Sequence, residues 1–252
     1  MKLGLEGKVA LVTGGARDTG AEISRTLAAE GATVAINYRG SESEANALVD
    51  EIITAGGKAK AYQADVTNYD QVKAMIGDIV NDHGSINILV NNAGLVLQKR
   101  FSDSTPEQWK RQTDVCQYGI IHTCHAASAY MEEQKDGRII NIVGDSAKVG
   151  ESYLSIKAAT GAAVVALSKS IAKEMGKFNV RSNTIALGML ETSHSNKEWL
   201  EENRAKIVRQ YPLRRIGLPQ DVAPMVAFLA SDLTSWLTGQ VISVNGGYSM
   251  VG

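Results

Sequence analysis

The stretch GRIINIVGDSAKVGESYLSIK, residues 137–157, contains the most complete strand-to-helix transition in the chain. It begins with a mainly apolar run over residues 138–143, which predicts a buried strand. A polar turn at residues 144–146 follows, and Ser152 is the predicted N-cap of a long alanine-rich helix. Because a buried strand leading into a helix is the repeating unit of α/β proteins, this stretch predicts a sheet covered by helices.

The rest of the chain repeats this unit. Strands are predicted at residues 8–13, 33–37, 59–63, 86–90, 138–143, 180–185 and 241–244, and helices at residues 21–31, 41–55, 68–81, 105–132, 152 onward and 220–230. The strands are apolar on both faces, which is typical of a parallel sheet with helices on each side. We therefore predict a single α/β domain over residues 1–252, with a doubly wound, mostly parallel, seven-stranded sheet of the Rossmann type.

Composition excludes several classes of protein. The 252 residues carry a net charge of −1, so no basic surface is expected for nucleic acid or membrane binding. Cys116 and Cys124 lie eight residues apart in a predicted helix, a separation of about 12 Å that is too long for a disulfide. No apolar run resembles a signal peptide or a membrane span. We expect a cytoplasmic protein.

Two side chains in the opening stretch suggest proton chemistry. On the predicted helix Tyr153 and Lys157 lie four residues apart and share one face. An ammonium beside a phenol favours the phenolate, which suits the phenol to act as a general acid or base. The alternative is that this loose pattern is a chance surface pair.

A glycine-containing turn follows the first predicted strand. Gly14 and Gly20 bound this turn, and a helix begins directly after it. Glycines let a phosphate approach the backbone, and the first N–H groups of a helix point at the bound anion. The turn therefore predicts a pyrophosphate site, although glycines of this kind also occur in turns that bind nothing.

The end of the second strand indicates which nicotinamide cofactor is bound. A carboxylate there would bind the ribose hydroxyls, but the sequence reads Asn37, Tyr38, Arg39. Arg39 and Arg17 can instead bind a 2′-phosphate, which predicts NADP(H). Both arginines are also compatible with ordinary solvated surface.

Two further strand ends carry candidate binding residues. Asp65 and Val66 follow the third strand, where Asp65 either contacts an adenine amino group or forms an Asx-turn. Asn92, Ala93 and Gly94 follow the fourth strand. The carboxyl ends of strands are where open α/β sheets bind ligands, so both groups are predicted to face one cleft.

Together these motifs resemble the short-chain dehydrogenase/reductase family, and the resemblance covers essentially the whole chain. They occur in family order: Thr13-Gly14 to Gly20, Ala64-Asp65-Val66, Asn91-Asn92-Ala93-Gly94, Tyr153-x-x-x-Lys157, and Leu237-Thr238-Gly239-Gln240 to Gly246-Gly247. The branch with the strongest similarity contains the β-ketoacyl-carrier-protein reductases and related NADP(H)-linked ketoreductases.

The resemblance implies hydride transfer between the nicotinamide and a carbonyl or secondary alcohol carbon. Tyr153 would be the general acid/base, and Lys157 would activate it and hold the nicotinamide ribose. Residues implied to bind the cofactor are Gly14, Arg17, Gly20, Arg39, Asp65, Val66, Asn92, Ala93, Gly94, Tyr153 and Lys157. The resemblance also implies a homodimer or homotetramer, and a variable substrate lid at about residues 189–216.

Four departures from the family pattern fall in the site. Asp18 replaces the middle glycine of the phosphate turn, where a carboxylate repels a pyrophosphate and weakens or abolishes cofactor binding. The expected substrate-orienting serine falls on Gly144, and the segment from there to Tyr153 is about four residues short. The expected asparagine is Cys116, whose thiol is a weaker hydrogen-bonding group than an amide. Leu187-Gly188 replaces a Pro-Gly turn.

These departures leave three interpretations. The leading one is an NADP(H)-dependent oxidoreductase in which Ser146, two residues beyond Gly144, supplies the missing hydroxyl. The second is a non-redox enzyme on the same scaffold, such as a hydratase, lyase or isomerase. The third is a catalytically impaired member with a binding role. No metal site is predicted, because His122 and His125 share a helix face with no evident third ligand.

Overall fold

The computed structural model describes residues 2–251 and contains a seven-stranded sheet in which all neighbouring strands are parallel. The strand order is β3-β2-β1-β4-β5-β6-β7. The strands are β1 (Val9–Val12), β2 (Thr33–Tyr38), β3 (Lys58–Gln63), β4 (Ile88–Asn91), β5 (Gly137–Gly144), β6 (Val180–Leu187) and β7 (Val241–Val244). The predicted doubly wound parallel sheet is therefore confirmed.

Helices connect the strands. They are α1 (Asp18–Ala29), α2 (Glu42–Thr54), α3 (Tyr69–His83), α4 (Pro106–Thr113), α5 (Gly119–Gln134), α6 (Ser146–Val149), α7 (Ser155–Met175), α8 (Lys197–Val208) and α9 (Pro219–Ala230), with short 3-10 turns at Phe101–Asp103, Gly176–Phe178 and Asp232–Thr234. None of the helices within residues 2–251 is long and apolar enough to cross a membrane.

The core has two layers because both faces of the central strands are apolar. The prediction that the strands are apolar on both faces is wrong for β3, which lies at the edge of the sheet and carries the exposed Lys58 and Lys60. Side chains of alternate strand residues point to opposite faces, so Val12 packs against α1, α2 and α9 while its neighbour Leu11 packs against α3, α5 and α7. β2 and β4 lie on opposite sides of β1, so the strand order reverses at this point. At such a reversal the connections diverge and open a crevice at the carboxyl ends of the strands.

Local sequence signals account for several helix ends. The Asn68 side chain accepts a hydrogen bond from the N–H of Gln71 and caps α3, which ends at Gly84 in the left-handed conformation. Thr105 and Gln108 form a reciprocal capping box at the start of α4. These signals lie within one helical turn of the backbone they cap, so they can be read from sequence.

The start of α7 differs from the prediction. Ser152 is not its N-cap: the helix begins at Ser155 after Leu154, and Tyr153 lies before it in a turn with φ of 68°. The physical reason is the short helix α6, which packs against α7 directly after β5. The chain then needs residues 150–154 to turn back to the start of α7.

The long helix predicted over residues 105–132 is divided in two. Between α4 and α5 the segment Asp114–Tyr118 is π-helical, with an extra residue in the turn. Such segments are rare and often occur at functional sites, because they redirect side chains out of the regular helical register. Cys116 lies in the middle of this segment and is buried.

The segment predicted as irregular after β6 contains a helix. α8 is capped by Asn196, whose side chain accepts a hydrogen bond from the N–H of Trp199. Leu200 and Ile207 are buried against Tyr211 and Ile216 in a small cluster separate from the main core. Because half of the residues of α8 are charged and its apolar residues are few, the sequence carried little helical periodicity.

Candidate active site

A cleft with a volume of about 430 Å³ lies at the carboxyl ends of β1, β2, β3 and β4. This volume is in the range of small-molecule and cofactor sites. All the predicted cofactor-binding residues except Tyr153 and Lys157 line this cleft, although they come from four separate turns. They are Gly14, Arg17, Gly20, Arg39, Asp65, Val66, Asn92, Ala93 and Gly94.

The glycine turn after β1 is held tightly against the turn after β4. A Cβ on Gly20 would lie 2.6 Å from Asn92 Nδ2, so no side chain fits there. The Asn92 side chain donates to the carbonyls of Thr13 and Gly14 at 3.0 and 3.2 Å. Asn37 adds a third attachment, because its Oδ1 accepts from the Gly14 N–H at 3.2 Å. The backbone of the turn is thus held at three points, and it carries no side chain at Gly14 and Gly20.

Asp18 makes contacts that the sequence did not predict. Its Oδ1 accepts hydrogen bonds from Ser193 N and Oγ at 3.0 and 2.8 Å, and its Oδ2 lies 2.7 Å from His194 Nδ1. Arg17 Nη1 is 3.4 Å from the other ring nitrogen of His194. These contacts join the first residue of α1 to the predicted lid, so lid residues satisfy the carboxylate expected to repel a pyrophosphate.

Asp65 forms the predicted Asx-turn, and its contact with an adenine amino group stays a prediction. Asp65 Oδ1 accepts from Thr67 N at 2.9 Å and from Thr67 Oγ1 at 2.8 Å. Its other oxygen lies 3.8 Å from Arg39 Nη1, and the Arg39 side chain is 67% exposed. Arg39 is therefore held loosely at the mouth of the cleft, where it is available to an incoming anion.

The first turn of α7 presents Lys157 to the turn after β4. Lys157 Nζ lies 3.4 Å from Cys116 Sγ and 3.6 Å from the position that a Cβ on Gly94 would take. The Cys116 thiol also donates to the carbonyl of Leu95 at 3.2 Å. A lysine ammonium and a thiol thus lie together beside a residue that lines the cleft.

The Tyr153 side chain does not line the cofactor cleft. The side chain is 57% exposed, and with Phe101, Trp109 and Ile156 it lines a shallow depression outside the cofactor cleft. Its backbone carbonyl accepts from the N–H of Lys99 at 3.0 Å. Because Tyr153 precedes α7, the prediction that it shares a helical face with Lys157 is wrong.

A serine hydroxyl lies close to Gly144, the position at which the resemblance implies a serine. Ser146 is buried, and its Oγ lies 3.3 Å from the position that a Cβ on Gly144 would take. The intervening Asp145 is also buried, and its Oδ2 accepts from Asn245 Nδ2 and Ser249 Oγ, each at 2.5 Å. Burial and the charge of Asp145 raise the pKa of Glu151 above its usual range.

One turn after Lys157, helix α7 carries Gly161. A Cβ at this position would lie 2.8 Å from the Cβ of Ala147 in α6, closer than real Cβ contacts. The glycine thus permits α6 to pack directly on α7, and no long side chain fits there without displacing α6. A lysine at position 161, one turn beyond Lys157, is therefore excluded by this packing.

The histidines of α5 make other contacts. His122 Nδ1 lies 2.9 Å from the carbonyl oxygen of Val66, and His125 Nδ1 lies 2.7 Å from the Tyr69 hydroxyl. Cys124 is buried, and burial raises the pKa of its thiol to about 12. Within residues 2–251 no group of three His, Cys, Asp or Glu side chains is placed to hold a metal ion.

Comparison with known proteins places this architecture in a family. A family model described as "Enoyl-(Acyl carrier protein) reductase" matches residues 14–249. The 3-oxoacyl-[acyl-carrier-protein] reductase FabG of Staphylococcus aureus is 38% identical over 243 residues, which is 96% of this chain and 98% of that protein. The chain belongs to the short-chain dehydrogenase/reductase family, and its relatives include oxidoreductases of the ketoreductase branch.

Solved structures agree with this assignment. A candidate short-chain alcohol dehydrogenase from Sinorhizobium meliloti 1021 superposes with a TM-score of 0.93 at 27% identity, covering 98% of both chains. A candidate gluconate dehydrogenase from Agrobacterium tumefaciens has a TM-score of 0.94 at 26% identity, covering 100% of both chains. Both matches extend over the whole domain, which supports the single-domain Rossmann fold.

Proposed function

We propose that this protein is an NADP(H)-dependent oxidoreductase that interconverts a carbonyl compound and the corresponding secondary alcohol. The observation that carries the proposal is the cleft at the carboxyl ends of β1 to β4, lined by the rigid glycine turn and two arginines. Such a cofactor, when bound, donates or accepts the hydride. Membership of a family that contains named reductases supports the same conclusion.

The residues of the cleft fit a dinucleotide phosphate. Gly14 and Gly20 leave the backbone of the turn bare, and α1 begins directly after it. Arg17 and Arg39 are both exposed and both line the cleft, and no acidic side chain ends β2. This charge pattern favours a 2′-phosphate over free ribose hydroxyls. Asp18 is compatible because its carboxylate is directed to Ser193 and His194.

The nicotinamide end of the cleft would be formed by Asn92, Ala93 and Gly94, with Lys157 beside them. The substrate carbonyl then lies between this turn and the residues after β5. Ser146 Oγ is the hydroxyl nearest the vacant side-chain position of Gly144, and we propose that it orients the substrate oxygen. The lid from about residue 189 to 216 covers the site and, in this proposal, selects the substrate.

One observation favours the alternative of a non-redox or catalytically impaired enzyme. The first turn of α7 presents an amine rather than a phenol, and Tyr153 is outside the cleft. An enzyme that had lost hydride transfer could keep the scaffold either with or without cofactor binding. The fold cannot separate these cases, because activity depends on the residues of the site.

A titration of the purified protein with NADPH and NADH, followed by nicotinamide fluorescence, tests the proposal. We expect saturable binding of NADPH with weaker binding of NADH, and oxidation of NADPH when a small carbonyl compound such as acetoacetyl-coenzyme A is added. Turnover of a hydroxyacyl or carbonyl compound with no nicotinamide present would support the non-redox alternative. Failure to bind either nucleotide would refute the proposal.

We further propose a cytoplasmic homodimer or homotetramer. Ala159, Ala162 and Ala166 form an exposed row of small side chains on α7, which allows a second helix to approach closely. Cys116 and Cys124 are free thiols, which accords with a reducing compartment. Multi-angle light scattering would give the mass of the particle in solution.

A further inference from the structure

We propose that Lys157, and not Tyr153, is the group that exchanges a proton with the substrate oxygen. The inference rests on the proposed function and assigns the proton-transfer step of that reaction. It makes Lys157 a catalytic residue in its own right, whereas the sequence alone suggested only a helper of a tyrosine.

The position of Lys157 is the first argument. The resemblance left the segment between Gly144 and Tyr153 about four residues short. If the family's tyrosine position is assigned four residues further along the chain, the segment has its full length. That position is Lys157, in the first turn of α7, which begins at Ser155. The place where the family resemblance implies a phenol is thus occupied by an amine. One turn further, the place implied for the activating lysine is Gly161.

The surroundings of Lys157 are the second argument. The side chain is partly buried and its Nζ donates to Cys116 Sγ at 3.4 Å, a long contact to a weak acceptor. Within residues 2–251, the lysines that form ion pairs with a carboxylate are Lys8, Lys60 and Lys110, and Lys157 is not among them. An ammonium held only by a thiol keeps N–H bonds free for an incoming oxygen.

The position of Tyr153 is the third argument. The Tyr153 side chain lines the depression formed with Phe101 and Trp109, while Lys157 faces Gly94 and Cys116. The left-handed backbone of Tyr153, with φ of 68°, places this residue in the turn before α7. Bringing the phenol to the cleft would require the turn over residues 150–154 to be rebuilt.

The chemistry balances with a single amine. In the reducing direction carbon gains a hydride and oxygen gains a proton. One N–H bond of the Lys157 ammonium breaks, its electron pair stays on nitrogen, and the proton forms the O–H bond of the alcohol. The neutral amine then takes a proton from water at the open cleft. In the oxidising direction the amine accepts the hydroxyl proton, so the same residue serves as acid and base.

Three variants and the unmodified protein test this assignment with acetoacetyl-coenzyme A and NADPH. We expect Lys157→Met to lower kcat by about 10²- to 10⁴-fold, the usual contribution of a general acid or base. Lys157→Arg should be equally impaired, because a guanidinium keeps the positive charge but does not release a proton. Tyr153→Phe should keep the activity of the unmodified protein. A purely electrostatic or structural role of Lys157 predicts instead that the arginine variant is active.

Chemical labelling gives a readout that does not depend on turnover. Acetic anhydride labels lysine amines, and mass spectrometry compares Lys157 with the exposed Lys58 of β3. With NADP⁺ present, which cannot reduce a ketone, acetoacetyl-coenzyme A should protect Lys157 and leave Lys58 unchanged. Equal labelling of Lys157 with and without this compound would overturn the assignment.

The outcomes separate the inference from the function on which it rests. NADPH binding and turnover that survive in Lys157→Met refute the role of Lys157 and leave the oxidoreductase intact. NADPH binding without turnover in the unmodified protein contradicts the proposed oxidoreductase activity as well as the role of Lys157, whereas labelling of Lys157 that acetoacetyl-coenzyme A does not reduce contradicts the role of Lys157 alone. Absence of NADPH binding refutes the proposed function itself.

Discussion

At the scale of single residues, the proposed cofactor binding in the cleft depends on exposed side chains. Arg39 is the clearest case, since it follows β2 directly and its only described ion pair is a long one with Asp65. A charged hydrogen bond to a phosphate is stronger than one between neutral groups, so this residue is well suited to discriminate between the two nicotinamide cofactors.

Replacing Arg39 by alanine is expected to weaken NADPH binding about 10-fold, the value of one charge-assisted hydrogen bond. The affinity for NADH should stay the same, because that cofactor has no 2′-phosphate. Fluorescence titration of both nucleotides measures the difference. Arg25→Ala is the matched control, since Arg25 pairs with Glu51 on the surface. Equal loss of affinity for both cofactors would show that Arg39 does not read the phosphate.

Gly161 illustrates how one absent side chain determines the packing of two helices. A Cβ there would lie 2.8 Å from the Ala147 Cβ, so Gly161→Ala should destabilise the protein by about 1–3 kcal/mol through overpacking. Urea unfolding followed by circular dichroism measures this change. Gly176→Ala provides the control, because nothing lies within 4 Å of its added Cβ and its φ is −57°. Comparable loss in both variants would mean that α6 does not restrain α7.

At the scale of elements, the phosphate turn and the lid are joined through a single carboxylate. Asp18 has a φ of 48°, a conformation that glycine adopts without strain, yet it contributes three hydrogen-bond contacts to Ser193 and His194. The residue that departs from the family pattern thus serves a connection that a glycine could not make.

Asp18→Gly removes this connection and keeps the backbone conformation. We expect faster amide hydrogen exchange in the lid around residues 192–196, because its attachment to α1 is lost. NADPH should bind more tightly, since a negative charge has been removed from beside the pyrophosphate site. Asp50→Asn, an exposed change on α2, serves as the control. Unchanged exchange in the lid would contradict a restraining role for Asp18.

At the scale of the whole molecule, a chain of ion pairs around the buried Arg138 joins distant parts of the sheet. Asp136, just before β5, lies 2.8 Å from Lys8 Nζ and 2.9 Å from Arg138 Nη1, and Arg138 also contacts Asp232 after α9. Burial alone would raise the pKa of Asp136. The hydrogen bond from Lys8 and the charge of Arg138 outweigh burial and hold the pKa of Asp136 below its usual value of 3.8.

Because the pKa of Asp136 is lower in the folded protein, its contribution to stability is present above its unfolded pKa and is lost as pH falls through the folded value. Asp136→Asn should therefore cost about 1.5–3 kcal/mol at pH 7, the range for a hydrogen bond to a charged group, and progressively less below about pH 4. Urea unfolding at a series of pH values measures the effect. A cost that does not depend on pH would show that the charge of Asp136 is not what stabilises the fold.

Much of the architecture could be predicted because its signals are local. Runs such as residues 138–143 are apolar on both faces, and short polar turns separate them from helices, so strand order along the chain and a parallel sheet follow from the sequence. The glycine turn with Gly14 and Gly20 was likewise visible, since its spacing reflects backbone geometry that only glycine allows. The start of α7 could not be predicted, because it depends on the packing of α6 against α7, which is a tertiary contact.

The sequence by itself therefore determined the fold class, the family and the turns that line the cleft, because each depends on residues close together in the chain. Only the tertiary structure brought Lys157 to Cys116, 41 residues away, and Asp18 to Ser193, 175 residues away. Contacts across such separations leave no periodic pattern in the sequence, since either partner alone is compatible with an exposed surface. The chemistry of the site depends on these contacts, so the fold was predictable from the sequence and the assignment of the proton donor was not.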